Sequence, residues 1–95
     1  MKAQLIEYFK QEVKGQYILE VKIWRVRDKR YSNGIKYSLI FLELLSERRI
    51  LMDNHHPKKP HLHIDEQEFE YHYVNIQTLL DDFKHCVFKH FSEKI

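Results

Sequence analysis

The stretch DNHHPKKPHLHID, residues 53–65, carries four of the seven histidines, both prolines, two acids and two lysines. Cleaving RNA without a metal needs a base for the 2′-OH proton, an acid for the leaving 5′-oxygen and a cation for the charge that builds on phosphorus. Histidine fills either proton-transfer role near neutral pH. His61 and His63 are two residues apart, so on an extended backbone both rings point to one face. Asp53 or Asp65 can orient an imidazole and fix its tautomer. The pattern makes His61 and His63 the candidate catalytic pair, with Asp53 and Asn54 positioning them or the phosphate.

The same groups are also metal ligands. His55, His56, His61, His63, Asp53 and Asp65 offer borderline nitrogen and hard oxygen donors, which suit zinc or a related ion. A His-x-His pair still needs a third ligand of fixed geometry, no cysteine lies nearby, and no zinc-finger spacing is present. The sequence therefore assigns no metal and no cofactor. The alternating histidines of PHLHID resemble the pattern of histidine-triad nucleotide hydrolases until the third position, which is Asp65. The plain structural alternative is a solvated connection in which Pro57 and Pro60 restrict the chain and the histidines do nothing.

Cations are unevenly placed. WRVRDKR (24–30) puts four in seven positions, Arg48 and Arg49 adjoin, and Lys58-Lys59 lie inside the histidine stretch. A formal charge of only +2 says little about nucleic acid, because local patches matter more than the total. Arg25, Lys58 and Lys59 are the candidate phosphate contacts. Trp24 beside Arg25 and Arg27 pairs an aromatic face with cations, which suits single-stranded nucleic acid. Cys86 reads as a small buried hydrophobe, and His85 and His90 as ordinary helix residues.

The elements that must position these groups follow from periodicity. Tyr17, Leu19, Val21 and Ile23 alternate within QYILEVKIWRV (16–26), a strand pattern. Gly15 suits a turn to AQLIEYF (3–9), whose apolar residues satisfy both strand and helix periods. Asn33-Gly34 signals a two-residue hairpin before IKYSLIFLEL (35–44). RRILMD (48–53) and EFEYHYV (68–74) complete the strands. Ile76, Leu79, Leu80, Phe83, Val87 and Phe91 then fall on one helical stripe behind Asn75, a good N-cap. The expected fold is α+β: a single domain over residues 1–95, an antiparallel meander sheet of about five strands with one C-terminal helix packed on one face. The histidine stretch joins two of its strands.

A chain of 95 residues with 43% hydrophobic content has room for one core and is too apolar for disorder. One cysteine forms no internal disulfide, which points to a reducing cytoplasm. No signal peptide or membrane span is visible, so no membrane partner is expected.

KAQLIEY, VKIWRV, KYSLIFL, RRILMDN, PHLHI and LLDDF occur in that order across nearly the whole chain. This resembles the TumE-like toxin family of prokaryotic toxin–antitoxin pairs, most specifically at Asp53-Asn54 followed by His61-x-His63, with Trp24-Arg25 and Asp82-Phe83 in support. Members usually carry a glycine-containing loop between Asp-Asn and His-x-His, where this chain has the stiffer HHPKKP. The resemblance implies a small cytoplasmic toxin that arrests growth and is neutralised by a cognate, commonly DNA-binding, antitoxin. Ribonuclease action comes from the histidine pair and the basic strand end, not from the resemblance. The alternatives are a non-catalytic protein- or nucleic-acid-binding module and a metal-dependent hydrolase. The free strand edges of so small a sheet also allow a homodimer.

Overall fold

The computed structural model describes residues 3–31 and 33–95. The ambiguous N-terminal segment is a strand: β1 (Ala3–Val13) pairs antiparallel with β2 (Tyr17–Val26), with a bulge between Leu5 and Glu7. Lys14 and Gly15 connect them at φ 55° and 64°, closed by Gln16 N–H donating to Val13 O at 3.0 Å. Positive φ at both central residues matches the twist of the flanking strands.

Strand β2 pairs next with β3 (Ile35–Glu43), starting from Arg25↔Ile35. The connection between them is longer than the two-residue hairpin that Asn33-Gly34 suggests. It makes two successive turns, with Tyr31 N–H donating to Asp28 O and Gly34 N–H to Tyr31 O. Arg30 grips Asp28, Nη2 to Oδ2 at 2.6 Å, and its side-chain hydrogen bonds hold the Asp28 carboxyl down at about 2. Tyr31 is buried. These contacts give the longer loop its own anchors, while Gly34 at φ 66° returns the chain to β3.

Three short strands follow: β4 (Arg49–Asp53), β5 (His61–Ile64) and β6 (Gln67–Glu70). The sheet order β1-β2-β3-β4-β5-β6 is a meander in which every neighbour is antiparallel. The α+β architecture read from the sequence is therefore present, with six strands, because His61–Ile64 forms a strand of its own. The strand expected over residues 68–74 stops at Glu70. Tyr71 N–H donates to Pro60 O at 3.0 Å, but Pro60 has no N–H to return, so the ladder ends there.

Helix α1 (Ile76–Phe91) is capped as its sequence suggests. Asn75 Oδ1 accepts from Thr78 N–H at 2.8 Å, and Ser92 closes the other end at φ 55° with its N–H on Phe88 O. An N-cap of this kind contributes roughly 1 kcal/mol. Leu79, Phe83 and Val87 are fully buried against Ile23, Leu39, Phe41, Ile50 and Met52. Phe91 meets Tyr17 and Phe41 edge-on. The core is thus one layer between the helix and one face of the sheet. None of these side chains lies on the other face.

Candidate active site

Residues opposite one another on neighbouring strands share a face, so the register defines the uncovered one. One row crosses all six strands: Tyr8, Lys22, Ser38, Asp53, His61, Glu70. The adjacent row is Lys10, Glu20, Ile40, Leu51, His63, Glu68. Ile50 and Met52, the β4 neighbours of Leu51 and Asp53, belong to the core, so both rows lie on the side away from the helix. Both histidines of these rows lie at the β4–β5–β6 end, together with Asp53, Glu68 and Glu70.

Four of them meet. His61 Nε2 stands 3.3 Å from Asp53 Oδ1 and 3.9 Å from Glu68 Oε1, and His63 Nε2 stands 3.7 Å from the same Glu68 oxygen. The two imidazoles contact edge to face at 4.8 Å between centroids. His61 is the one buried polar residue among the described residues, at 8% exposure. Its Nδ1 lies 2.8 Å from Lys59 O. A carbonyl only accepts, so Nδ1 carries a hydrogen and donates, which leaves Nε2 facing the carboxylates. Lys58 Nζ reaches over to Glu68 Oε1 at 3.0 Å. That ammonium, through its hydrogen bond first and its charge second, holds the Glu68 carboxyl below its ordinary range.

Asn54 lies beside this group with both ends of its amide occupied. Oδ1 accepts from Tyr37 N–H at 2.9 Å and Nδ2 donates to Ile35 O at 2.8 Å. It pins the exit of β4 to the start of β3, which makes it a positioning residue. His55 and His56 are exposed; their backbone N–H groups donate to Asp53 Oδ1 and Tyr31 OH. Asp65, at φ 54°, is taken by β4: its carboxylate accepts from Arg49 N–H at 3.0 Å and from Arg48 Nε at 3.3 Å. Six sequence candidates for metal binding therefore reduce to Asp53, His61 and His63 in one place.

The predicted cations divide. Lys58 joins the cluster through Glu68, and Lys59 is exposed next to it. Trp24 lies on the open face with Lys36 Nζ 5.4 Å from its ring centre. Arg25 alternates with Trp24 and so projects to the helix side, where it lines a shallow cleft with Ala3, Gln4 and Arg27. That cleft lies on the opposite face from the histidines. Glu68, Lys22, Ser38 and Lys36 share the open face and were not singled out by composition. Only strand register brings them there. Cys86 on α1 is half-buried, and burial raises its thiol above the ordinary value, so it is a poor nucleophile.

A two-layer sandwich of sheet and helix whose open sheet face carries an acid–imidazole cluster defines a small domain with a surface site rather than a deep pocket. A family model described as Toxin TumE matches residues 3–88. The chain belongs to the TumE toxin family and is the toxin component of a toxin–antitoxin pair, with an antitoxin as the partner that membership implies. Neither the comparison with curated proteins nor that with solved structures gives a match. No helix of the described residues is long and apolar enough to cross a membrane.

Proposed function

We propose that this toxin is a ribonuclease that works without a metal, with His61 and His63 exchanging protons with one phosphodiester. The observation that supports this best is the pairing of two imidazoles 4.8 Å apart with two carboxylates on an open sheet face. His63 takes the 2′-OH proton, the 2′-oxygen bonds to phosphorus, and the bond from phosphorus to the 5′-oxygen breaks. His61 gives that oxygen its proton. The products are a 2′,3′-cyclic phosphate and a free 5′-hydroxyl, and solvent returns the transferred proton. Asp53 Oδ1 stands beside His61 Nε2, the nitrogen assigned the proton transfer, and the ring's Nδ1–H···O=C bond fixes its plane.

Lys58, Lys59, Lys22 and Lys36 are, with the more distant Lys10, cations on or beside this face, and we assign phosphate contacts to those four rather than to Arg25 and Arg27. Trp24, on the same face, offers a ring for an unpaired base. We further propose a cytoplasmic setting and a DNA-binding antitoxin. The exposed edge of β1, which pairs only with β2, is the segment available for a homodimer.

The test is RNA integrity after induction of the wild type and of His63→Ala, with the same pair assayed on RNA in chelator after purification. We expect fragments ending in cyclic phosphate from the wild type, in cells and in chelator, and intact RNA from a folded His63→Ala. Growth arrest with intact RNA sinks the mechanism and leaves the family assignment standing.

A further inference from the structure

His61, His63 and Glu68 each offer one ligand atom, and these atoms lie within 4.8 Å of one another. In a tetrahedral zinc site with bonds of about 2 Å, neighbouring ligand atoms stand about 3.3 Å apart. Glu68 Oε1 is 3.7 Å from His63 Nε2 and 3.9 Å from His61 Nε2. The Glu68 separations need to close by only about half an ångström, and rotation of the two imidazoles, by up to roughly 1.5 Å between their ligand atoms, completes the set.

Three further features point to a cation here. The Nδ1–H of His61 is held by Lys59 O, and an outer hydrogen bond of this kind orients metal-bound imidazoles and leaves Nε2 as the donor atom. Asp53 Oδ1 faces that Nε2 at 3.3 Å; two lone pairs repel at that distance unless a proton or a metal ion lies between them. Lys58 already sets a positive charge against Glu68 Oε1. Its side chain is 61% exposed, so the contact is weak and easily displaced.

We propose that this cluster binds one divalent ion of the zinc type through His61 Nε2, His63 Nε2 and Glu68 Oε1, with Asp53 as the adjoining carboxylate. Two imidazoles and one carboxylate favour zinc, cobalt or nickel over magnesium and calcium, which prefer all-oxygen sites. The ion and the transferred protons compete for the same two nitrogens, so metal binding switches the ribonuclease off. That consequence rests on the function proposed above; the binding does not.

Cobalt(II) serves as the probe, read by its visible absorption on the folded full chain, with Zn²⁺ measured by calorimetry. One ion per chain is expected. Glu68→Gln and His63→Asn each weaken binding at least ~10-fold, while His55→Ala,His56→Ala leaves it unchanged. Lys58→Met, by removing the competing ammonium, tightens it about 2- to 5-fold. RNA cleavage falls as Zn²⁺ fills the site. Absence of a cobalt spectrum overturns the site, as does a spectrum lost with His55 and His56 but kept in Glu68→Gln. Binding that depends on Glu68 with cleavage rising instead of falling overturns the competition and the metal-free mechanism together. Such binding with no cleavage under any condition keeps the site and removes the ribonuclease.

Discussion

Ile23, Leu39 and Met52 on the helix side of the sheet alternate along their strands with Lys22, Ser38 and Asp53 on the other. The first set has at most 1% of its surface exposed, and the second is half-buried and polar. One residue of register separates the two populations, because successive strand residues point to opposite faces. The helix side gains its stability from apolar packing against Leu79, Phe83 and Val87. The open side brings two imidazoles and two carboxylates into contact without having to bury all of them. Burying them all would carry a large desolvation cost, so a site of this composition belongs on the face that the helix leaves uncovered. The contrast teaches that stability and chemistry are separated across about one strand thickness rather than along the chain.

Substitutions that strike one face and spare the other test this separation. The largest expected effect is on the packed side. Phe41 is fully buried, stacked on Tyr17 and edge-on to Phe91, so Phe41→Ala should lower unfolding free energy by about 3–5 kcal/mol. Urea unfolding followed by circular dichroism measures it. On the open side, His63→Ala should shift stability by less than about 0.5 kcal/mol yet lower RNA cleavage ~100-fold or more. If His63→Ala unfolds the protein as readily as Phe41→Ala, the two faces are not independent.

Asn54 lies at the junction of the two regions. Both ends of its amide hold β3 backbone, and its neighbour Asp53 touches His61. Asn54→Ala leaves the Tyr37 N–H and the Ile35 carbonyl without those partners. A stability loss of about 1–3 kcal/mol follows, together with reduced cleavage from a misplaced Asp53. Asn54→Asp sharpens the reading: it restores an acceptor for Tyr37 N–H but sets a carboxylate against the Ile35 carbonyl, so it should recover less than half of the loss. Full recovery would show that only the Tyr37 bond matters.

How far the sequence disclosed this arrangement varies between the two faces. The core stripe of α1, the Asn75 cap and the alternation of β2 were readable because each rests on local periodicity or capping. His61 and His63 were readable as a pair for the same reason, since two residues on one strand share a face. Glu68 was not, because its place depends on the pairing of β6 with β5. That pairing is set by the Asp65-Glu66 turn and ends at Pro60. The division between Trp24 and Arg25, adjacent in sequence and on opposite faces in space, likewise needed the helix side to be known. The Asn33-Gly34 hairpin signal was local and correct about a bend, but burial of Tyr31 and the Asp28–Arg30 pair set the length of the loop.

The smallest expected effect comes from a place where the packed face breaks its own rule. Tyr37 is 1% exposed and stacks on Tyr73, yet its hydroxyl finds no hydrogen-bond partner among the described residues. Burial, first, and the nearby Asp53 charge, second, push its ionisation well above the ordinary tyrosine value, so the hydroxyl stays neutral. An unpaired buried hydroxyl carries a desolvation cost of about 1–3 kcal/mol, partly offset by the contacts its oxygen makes. Tyr37→Phe removes the cost and leaves the ring stacking in place. The expected result is unchanged stability or a gain of up to about 1 kcal/mol, with RNA cleavage unaltered because the hydroxyl lies on the helix side of the sheet. A loss of stability in Tyr37→Phe would mean that the hydroxyl is hydrogen-bonded in solution. A loss of cleavage at full stability would mean that Tyr37 influences Asp53 through the sheet, and the two faces would then be electrostatically coupled at this strand.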